Sequence, residues 1–151
     1  MLDQWQGAAV EPSDDDEPPV LDDPDPVDVP GRPDALAGAD AVAYRTTFPD
    51  PRDDGETRAT LVLEGVYAQA RVWHDGELLG EHDTYFRPAR FEFEPSENNE
   101  LIVECRRPDD GFGGVHETDL LPERARVPGI WWDARVETHG PTALVDLSVT
   151  P

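Results

Sequence analysis

The feature that most constrains the fold is a series of short segments in which apolar and polar residues alternate, separated by turn residues. A two-residue period is typical of β-strands, and no window gives a convincing amphipathic helix. Many short strands at close spacing predict an all-β antiparallel sandwich. The predicted strands occupy 44–48 (YRTTF), 58–64 (RATLVLE), 68–74 (AQARVWH), 77–79 (ELL), 90–94 (RFEFE), 100–106 (ELIVECR), 130–138 (IWWDARVET) and 143–150 (ALVDLSVT).

One turn in this series is specified by its residues. Asp75-Gly76 separates the apolar run that ends at His74 from the run that begins at Glu77. A type I′ hairpin turn requires positive φ at both central residues, and Asp-Gly meets that requirement. The sequence therefore predicts a β-hairpin centred on these two residues, with the His74 side chain in solvent.

The alternation also assigns a core. Phe91 and Phe93 alternate with Glu92 and Glu94, which places the rings inward and the carboxylates outward. The chain has one cysteine, Cys105, which excludes an internal disulfide. Cys105 alternates with the apolar Leu101 and Val103, which predicts a buried thiol in a strand. The predicted core residues are Leu61, Leu63, Val72, Phe91, Phe93, Leu101, Val103 and Cys105.

The charge of the chain is strongly negative. Asp and Glu number 34 against 12 basic residues, all of them arginine, which gives a net charge of -22. Such a surface repels nucleic acid and anionic membranes, so neither is an expected partner. The charge is compatible with an acidic disordered tail or with a domain from a salt-loving organism. Because acidic residues also occupy outward positions of the predicted strands, the sequence favours the second interpretation.

The first 40 residues have a different composition from the rest. Residues 11–33 are rich in Asp and Pro, and proline removes backbone donors and disfavours helix. We expect residues 1–40 to be an extended, irregular segment packed on a sandwich formed by 41–151, with Trp5 tucked against the core. The Asp clusters lack the glycine and terminal glutamate of a calcium-binding loop. Neither a metal nor another cofactor is expected.

No arrangement typical of an active site stands out. Gly-x-Ser-x-Gly, a phosphate-binding loop and His-Glu-x-x-His are all absent from the sequence. The four histidines lack the spacing of metal ligands. We therefore expect no catalytic residue in this chain. The N-terminus lacks the basic and apolar regions of a signal peptide, so a cytoplasmic location is expected.

Two regions supply candidate binding residues. Trp131-Trp132 lies in a predicted strand, where alternation would send one ring to the core and the other to solvent, a neighbouring domain or a sugar. The connection 109–129 is long for a sandwich and carries Glu123 and Arg126, which could hydrogen-bond a hydroxyl-rich ligand. A flexible surface loop with internal ion pairs is the alternative.

The order of several short motifs resembles a known family. Together they resemble the N-terminal sugar-binding domain of glycoside hydrolase family 2, which includes β-galactosidases, β-glucuronidases and β-mannosidases. The resemblance extends from Trp5 to Thr150. It rests on Val29-Pro30-Gly31, Tyr44-Arg45 with Phe48, Leu63-Glu64-Gly65-Val66, Ala70-Arg71-Val72-Trp73, Asp75-Gly76, Leu79-Gly80-Glu81-His82, Asn99-Glu100-Leu101-Ile102-Val103 and Gly129-Ile130-Trp131 with Asp133.

The resemblance implies a galactose-binding-domain-like jelly roll of two antiparallel sheets. It also implies that the catalytic glutamates lie elsewhere, in a TIM barrel that usually follows an immunoglobulin-like domain. Arg45, Glu123 and Arg126 would then face substrate or barrel. Two departures affect ligand contacts: Trp132 stands where the family often has Arg, and Asp83-Thr84 stand where it often has Gly.

These observations lead to one expected function and two alternatives. The expected function is a non-catalytic domain of a family 2 glycosidase that shapes the barrel's substrate pocket and packs on the barrel and the immunoglobulin-like domain. Carbohydrate binding by the domain itself would be weak. The alternatives are a self-standing carbohydrate-binding module and a protein-interaction module without sugar contact.

Overall fold

A computed structural model describes residues 2–12, 14–31, 33–84, 87–107 and 128–142. Within them, a single 3-10 turn at Asp34–Leu36 accompanies the β-strands. The strands are β1 (Trp5–Val10), β2 (Asp25–Val27), β3 (Ala41–Pro49), β4 (Arg58–Leu63), β5 (Val66–Tyr67), β6 (Gln69–His74), β7 (Glu77–His82), β8 (Ala89–Phe93), β9 (Asn98–Arg106), β10 (Gly129–Ile130) and β11 (Ala134–His139).

The strands form two main layers. A six-stranded sheet has the order β2-β1-β3-β9-β6-β7, and a three-stranded sheet has the order β11-β4-β8. A short pair, β10-β5, lies beside them, and the strand pairs in all three sheets are antiparallel. The predicted all-β antiparallel sandwich is confirmed.

The core lies between the two layers. All eight residues predicted to be buried are buried, and they belong to one hydrophobic cluster that draws on both sheets. Burying such a side chain contributes roughly 1.5–3 kcal/mol each, which makes this cluster the main stabilising feature of the domain. Burial also raises the pKa of the Cys105 thiol, as expected for an unreactive core cysteine.

The predicted hairpin is confirmed, but the exposure of His74 is not. Asp75 and Gly76 have φ values of 48° and 86°, both in the left-handed region that a type I′ turn requires. His74 is only 9% exposed, and its Nε2 lies 2.9 Å from Asn99 Oδ1. The reason is its phase in β6: His74 points to the same face as Ala70 and Val72.

The irregular structure expected for residues 1–40 is wrong for two segments. β1 pairs with β3 along its whole length, and β2 pairs with β1 at the edge of the six-stranded sheet. Trp5 is 4% exposed and belongs to the core cluster, as predicted. The strand formed by WQGAAV depends on its neighbours, because Gly and Ala have little intrinsic preference for strands.

The single strand predicted at 130–138 is interrupted. β10 ends at Ile130 and β11 begins at Ala134, so Trp131, Trp132 and Asp133 form the connection between them. The interruption lets the chain pass from the β10-β5 pair into the three-stranded sheet. Residues 109–127 of the predicted loop and the strand predicted at 143–150 lie outside the described residues.

Candidate functional site

The two neighbouring tryptophans are held at one place by backbone hydrogen bonds. The Trp131 amide donates to the Gly65 carbonyl at 3.1 Å, and the Glu64 amide donates to the Asp133 carbonyl at 2.9 Å. The two indole rings meet edge to face, with centroids 5.8 Å apart and an interplanar angle of 75°. This geometry is favourable for an aromatic pair and orients both rings.

Gly65 allows the pair to pack closely against the backbone. A Cβ atom at this position would lie 3.0 Å from Trp132 Cβ and 3.1 Å from Trp131 Cε2. Trp131 is half-buried, whereas Trp132 is 60% exposed. Among the described residues, Trp132 and Val20 are the large hydrophobic side chains that face solvent.

Charged residues adjoin this aromatic pair along the chain, since Glu64 precedes Gly65 and Asp133 follows Trp132. The Arg135 guanidinium lies 2.7 Å from Glu64 Oε1, 2.8 Å from Glu137 Oε1 and 3.1 Å from Asp133 Oδ2. The contact with Glu64 is the main cause of the raised pKa of Arg135. An exposed indole with a charged neighbour in the chain can stack on a sugar ring or anchor a protein interface.

The different exposure of the two rings predicts different costs for their removal. Replacing Trp132 by alanine should lower the free energy of unfolding by about 0.5–1.5 kcal/mol, because its exposed ring loses mainly the edge-to-face contact with Trp131. Replacing Trp131 should cost more, but less than the roughly 3–5 kcal/mol typical of a fully buried ring. Urea denaturation of both variants measures these losses. Equal losses would contradict the placement of the two rings.

Arg45 lies elsewhere on the surface. It is half-buried on β3, and its Nη2 donates to Gln6 Oε1 at 2.7 Å. It lines a cleft of about 540 Å³ together with Asp28 and Thr47, and neither Trp131 nor Trp132 lines that cleft. The structure thus brings the two tryptophans together, whereas Arg45 lines a cleft to which neither tryptophan contributes. Glu123 and Arg126 lie outside the described residues.

A second polar region was missed by the sequence predictions. Arg71 and Trp73 are only 5% and 1% exposed, although they point away from the core, and Arg106 lies beside them on β9. Arg71 and Arg106 line a cleft of about 840 Å³ with His82. The alternation in 68–74 placed Arg71 and Trp73 on the same side. A tryptophan on an apparent solvent face was the signal that something covers it.

Two further features of the described residues bear on function. No group of three or more His, Cys, Asp or Glu side chains among them could hold a metal ion. No helix in the described part of the chain is long and apolar enough to cross a membrane.

The sandwich has the same fold as a part of several larger solved structures. A β-glucuronidase from glycoside hydrolase family 2 matches with a TM-score of 0.68 and 21% identity, over 91% of this chain and 17% of that protein. The fold is one that family 2 glycosidases contain. A β-glycosidase from Bacteroides vulgatus matches with a TM-score of 0.64 and 16% identity, over 93% of this chain and 20% of that protein. A GH2 β-galacturonidase from Eisenbergiella tayi, bound to glycerol, matches with a TM-score of 0.62 and 16% identity, over 89% of this chain and 22% of that protein.

These similarities establish a shared fold. The chain spans about a fifth of the length of the glycosidases that it matches. No protein-family model matches the sequence, and neither does any curated protein.

Proposed function

We propose that this chain is a non-catalytic jelly-roll domain of a family 2 glycosidase, which helps to shape the substrate pocket of a catalytic barrel. The observation that carries the proposal is the fold likeness, which covers about nine tenths of this chain and about a fifth of each glycosidase. A domain of this size can bury its own core and still serve as one part of a larger enzyme.

Trp132 is the residue that we assign to contact with another domain of the same protein. Tryptophan is enriched among the residues that dominate binding energy at interfaces, usually where polar groups surround it. Trp132 is exposed, and the residue that follows it, Asp133, pairs with Arg135, which also pairs with Glu64. In the proposed enzyme the ring packs on the barrel or on the immunoglobulin-like domain.

The contribution to sugar binding is partial. Ligand pockets bury most of a ligand's surface, whereas one exposed ring leaves most of a sugar wet. Arg45, Glu123 and Arg126 remain proposed contacts with substrate or barrel. The isolated domain should therefore bind sugars weakly, and the complete pocket requires the other domains.

The reading frame that encodes this chain gives a direct test. The proposal predicts that the frame continues past Pro151 into an immunoglobulin-like domain and a barrel. A stop codon directly after Pro151 would contradict it and would favour a self-standing carbohydrate-binding or interaction module.

In the longer protein, Trp132→Ala should lower kcat/KM for the glycoside substrate several-fold, because the domain would no longer hold its side of the pocket in place. Val20→Ala is the matched control, since Val20 is also a large exposed hydrophobic residue, at 78%. It should leave kcat/KM unchanged. Equal values for the two variants would show that Trp132 does not contact the rest of the enzyme.

A further inference from the structure

The six-stranded sheet is covered on both faces around β6 and β9. Its inner face forms the core, and its outer face carries Trp73, Ile102 and Glu104, which are 1%, 6% and 1% exposed. Side chains on the second face of a sheet would ordinarily meet water. Part of the cover is the acidic segment 14–16, which we call the strap.

The strap meets the outer face through its backbone. The Trp73 Nε1 group donates to the Asp16 carbonyl at 2.7 Å, and Arg71 Nη1 donates to the Asp15 carbonyl at 2.8 Å. Both donors belong to buried side chains, and a buried donor requires an acceptor. The strap therefore completes the hydrogen bonding of this face.

The strap also forms two ion pairs. Asp14 Oδ1 lies 2.8 Å from Arg106 Nη1, and Asp16 Oδ1 lies 3.7 Å from Arg71 Nη2. The hydrogen bond from Arg106 lowers the pKa of Asp14, which keeps this carboxylate ionised. The two Asp side chains are 97% and 90% exposed, so water competes with both pairs.

The two arginines do not depend on the strap for charge compensation. Glu81 Oε1 lies 2.8 Å from Arg71 Nε, and the buried Glu104 carboxylate contacts Arg106. The arginine side chains can therefore stay in place when the strap leaves. The cation–π contact of Arg71 with the Trp73 ring, at 5.2 Å, also remains within the sheet.

Long-range electrostatics oppose the docking of the strap. The segment 14–17 reads DDDE, and it lies on a chain with a net charge of -22. This repulsion acts over about 8 Å at physiological ionic strength, whereas the pairs with Arg71 and Arg106 act at contact distance. The position of the strap is thus a balance between a few short contacts and a general repulsion.

We propose that the strap is a releasable latch, held closed by the pairs of Asp14 with Arg106 and of Asp16 with Arg71, whose opening uncovers a face formed by Arg71, Trp73 and Arg106. In the closed state the occupant of this face is the chain's own strap. The face fits an acidic peptide segment, because the strap shows the contacts such a segment makes: carbonyls accept from Trp73 and Arg71, and carboxylates meet the guanidinium groups.

The test compares two double variants that remove the same charge. Asp14→Asn/Asp16→Asn removes both pairs, whereas Glu11→Gln/Glu17→Gln removes two exposed carboxylates that form no ion pair among the described residues. Hydrogen exchange of the Trp73 indole N–H, followed by NMR, reports latch opening. Exchange of the Val103 amide, in the central strand β9, reports global unfolding.

We expect the indole N–H of the Asp14/Asp16 variant to exchange about tenfold faster, because the strap loses both of its ion pairs. Exchange at Val103 should stay unchanged. In the Glu11/Glu17 variant the indole should exchange at the original rate or more slowly, because only repulsion has been removed.

Three results in the exchange rates of the variants would overturn the proposal, and a fourth concerns protein concentration. They are an unchanged indole rate in the Asp14/Asp16 variant, an equal increase in both variants, and an increase matched by an equal increase at Val103. Indole protection that depends on protein concentration would mean that the strap of a second copy occupies the face, which contradicts an intramolecular latch.

Discussion

Replacing Gly129 by alanine is expected to destabilise the folded chain by about 1–3 kcal/mol, the usual cost of overpacking a core. A Cβ atom on Gly129 would overlap the hydroxyl of Tyr44 and lie 3.3 Å from its Cζ. Tyr44 is 0% exposed, so its ring has no solvent to move into. Urea denaturation of the variant measures the loss.

Two further variants identify the cause of that loss. Tyr44→Phe removes the overlapping hydroxyl, so Gly129→Ala should cost much less in the Tyr44→Phe background, and a double-mutant cycle measures the difference. Gly140→Ala is the control, because a Cβ there would meet only the Gly55 carbonyl at 3.8 Å. Equal losses for Gly129→Ala and Gly140→Ala would show that β10 does not pack on Tyr44 as described.

The second large effect concerns salt. We expect the thermal unfolding midpoint to rise by several degrees between dilute buffer and 1 M potassium chloride, as for a gain of about 1–2 kcal/mol. The Debye length falls to about 3 Å at 1 M salt, so the self-repulsion of a chain with a net charge of -22 is suppressed. Contact pairs such as Arg52 with Asp50, at 2.6 Å, are screened less than this long-range repulsion.

A charge-reduced variant separates repulsion from other effects of salt. Asp54→Asn/Glu77→Gln/Glu97→Gln removes three exposed carboxylates that form no ion pair among the described residues. It should be more stable than the original chain in dilute buffer and should respond less to salt. A midpoint that stays constant or falls with salt would contradict the interpretation of the acidic composition as that of a domain from a salt-loving organism.

The sequence alone was sufficient for the parts of the fold where one face of a strand is apolar. The alternation in 90–94 and 100–106 placed Phe91, Phe93, Leu101 and Val103 in the core correctly. The Asp75-Gly76 turn was predictable because few residue pairs accept positive φ at both positions. In both cases the local pattern and the tertiary environment require the same residues.

The errors arise where a second layer or a neighbouring strand determines the structure. β1 carries small residues without a clear period, and its pairing with β3 could not be read from its own composition. His74 was assigned to solvent because it adjoins a turn, whereas its phase in β6 places it against the Phe93 ring, with centroids 4.5 Å apart. Proximity to a turn proved a weaker indicator than strand phase.

The candidate sites show the same limit. The Trp131-Trp132 pair was recognisable by composition, but its position depends on the break between β10 and β11 and on the close approach of Gly65, which no local pattern reports. The face of Arg71 and Trp73 was missed because a segment about 57 residues away in sequence covers it. Contacts of that range are set by the fold as a whole.

Hydrolysis of nitrophenyl glycosides tests the central claim, that this chain is a non-catalytic part of a glycosidase. A retaining glycosidase needs two carboxyl groups about 5–5.5 Å apart, one of them sheltered enough to stay protonated. We predict no turnover of the β-galactoside, β-glucuronide, β-mannoside or β-glucoside by the purified chain in molar salt, and turnover of at least one by the longer protein. Turnover by the chain alone that survives repurification, and is lost when one of its own carboxylates is replaced, would contradict the account.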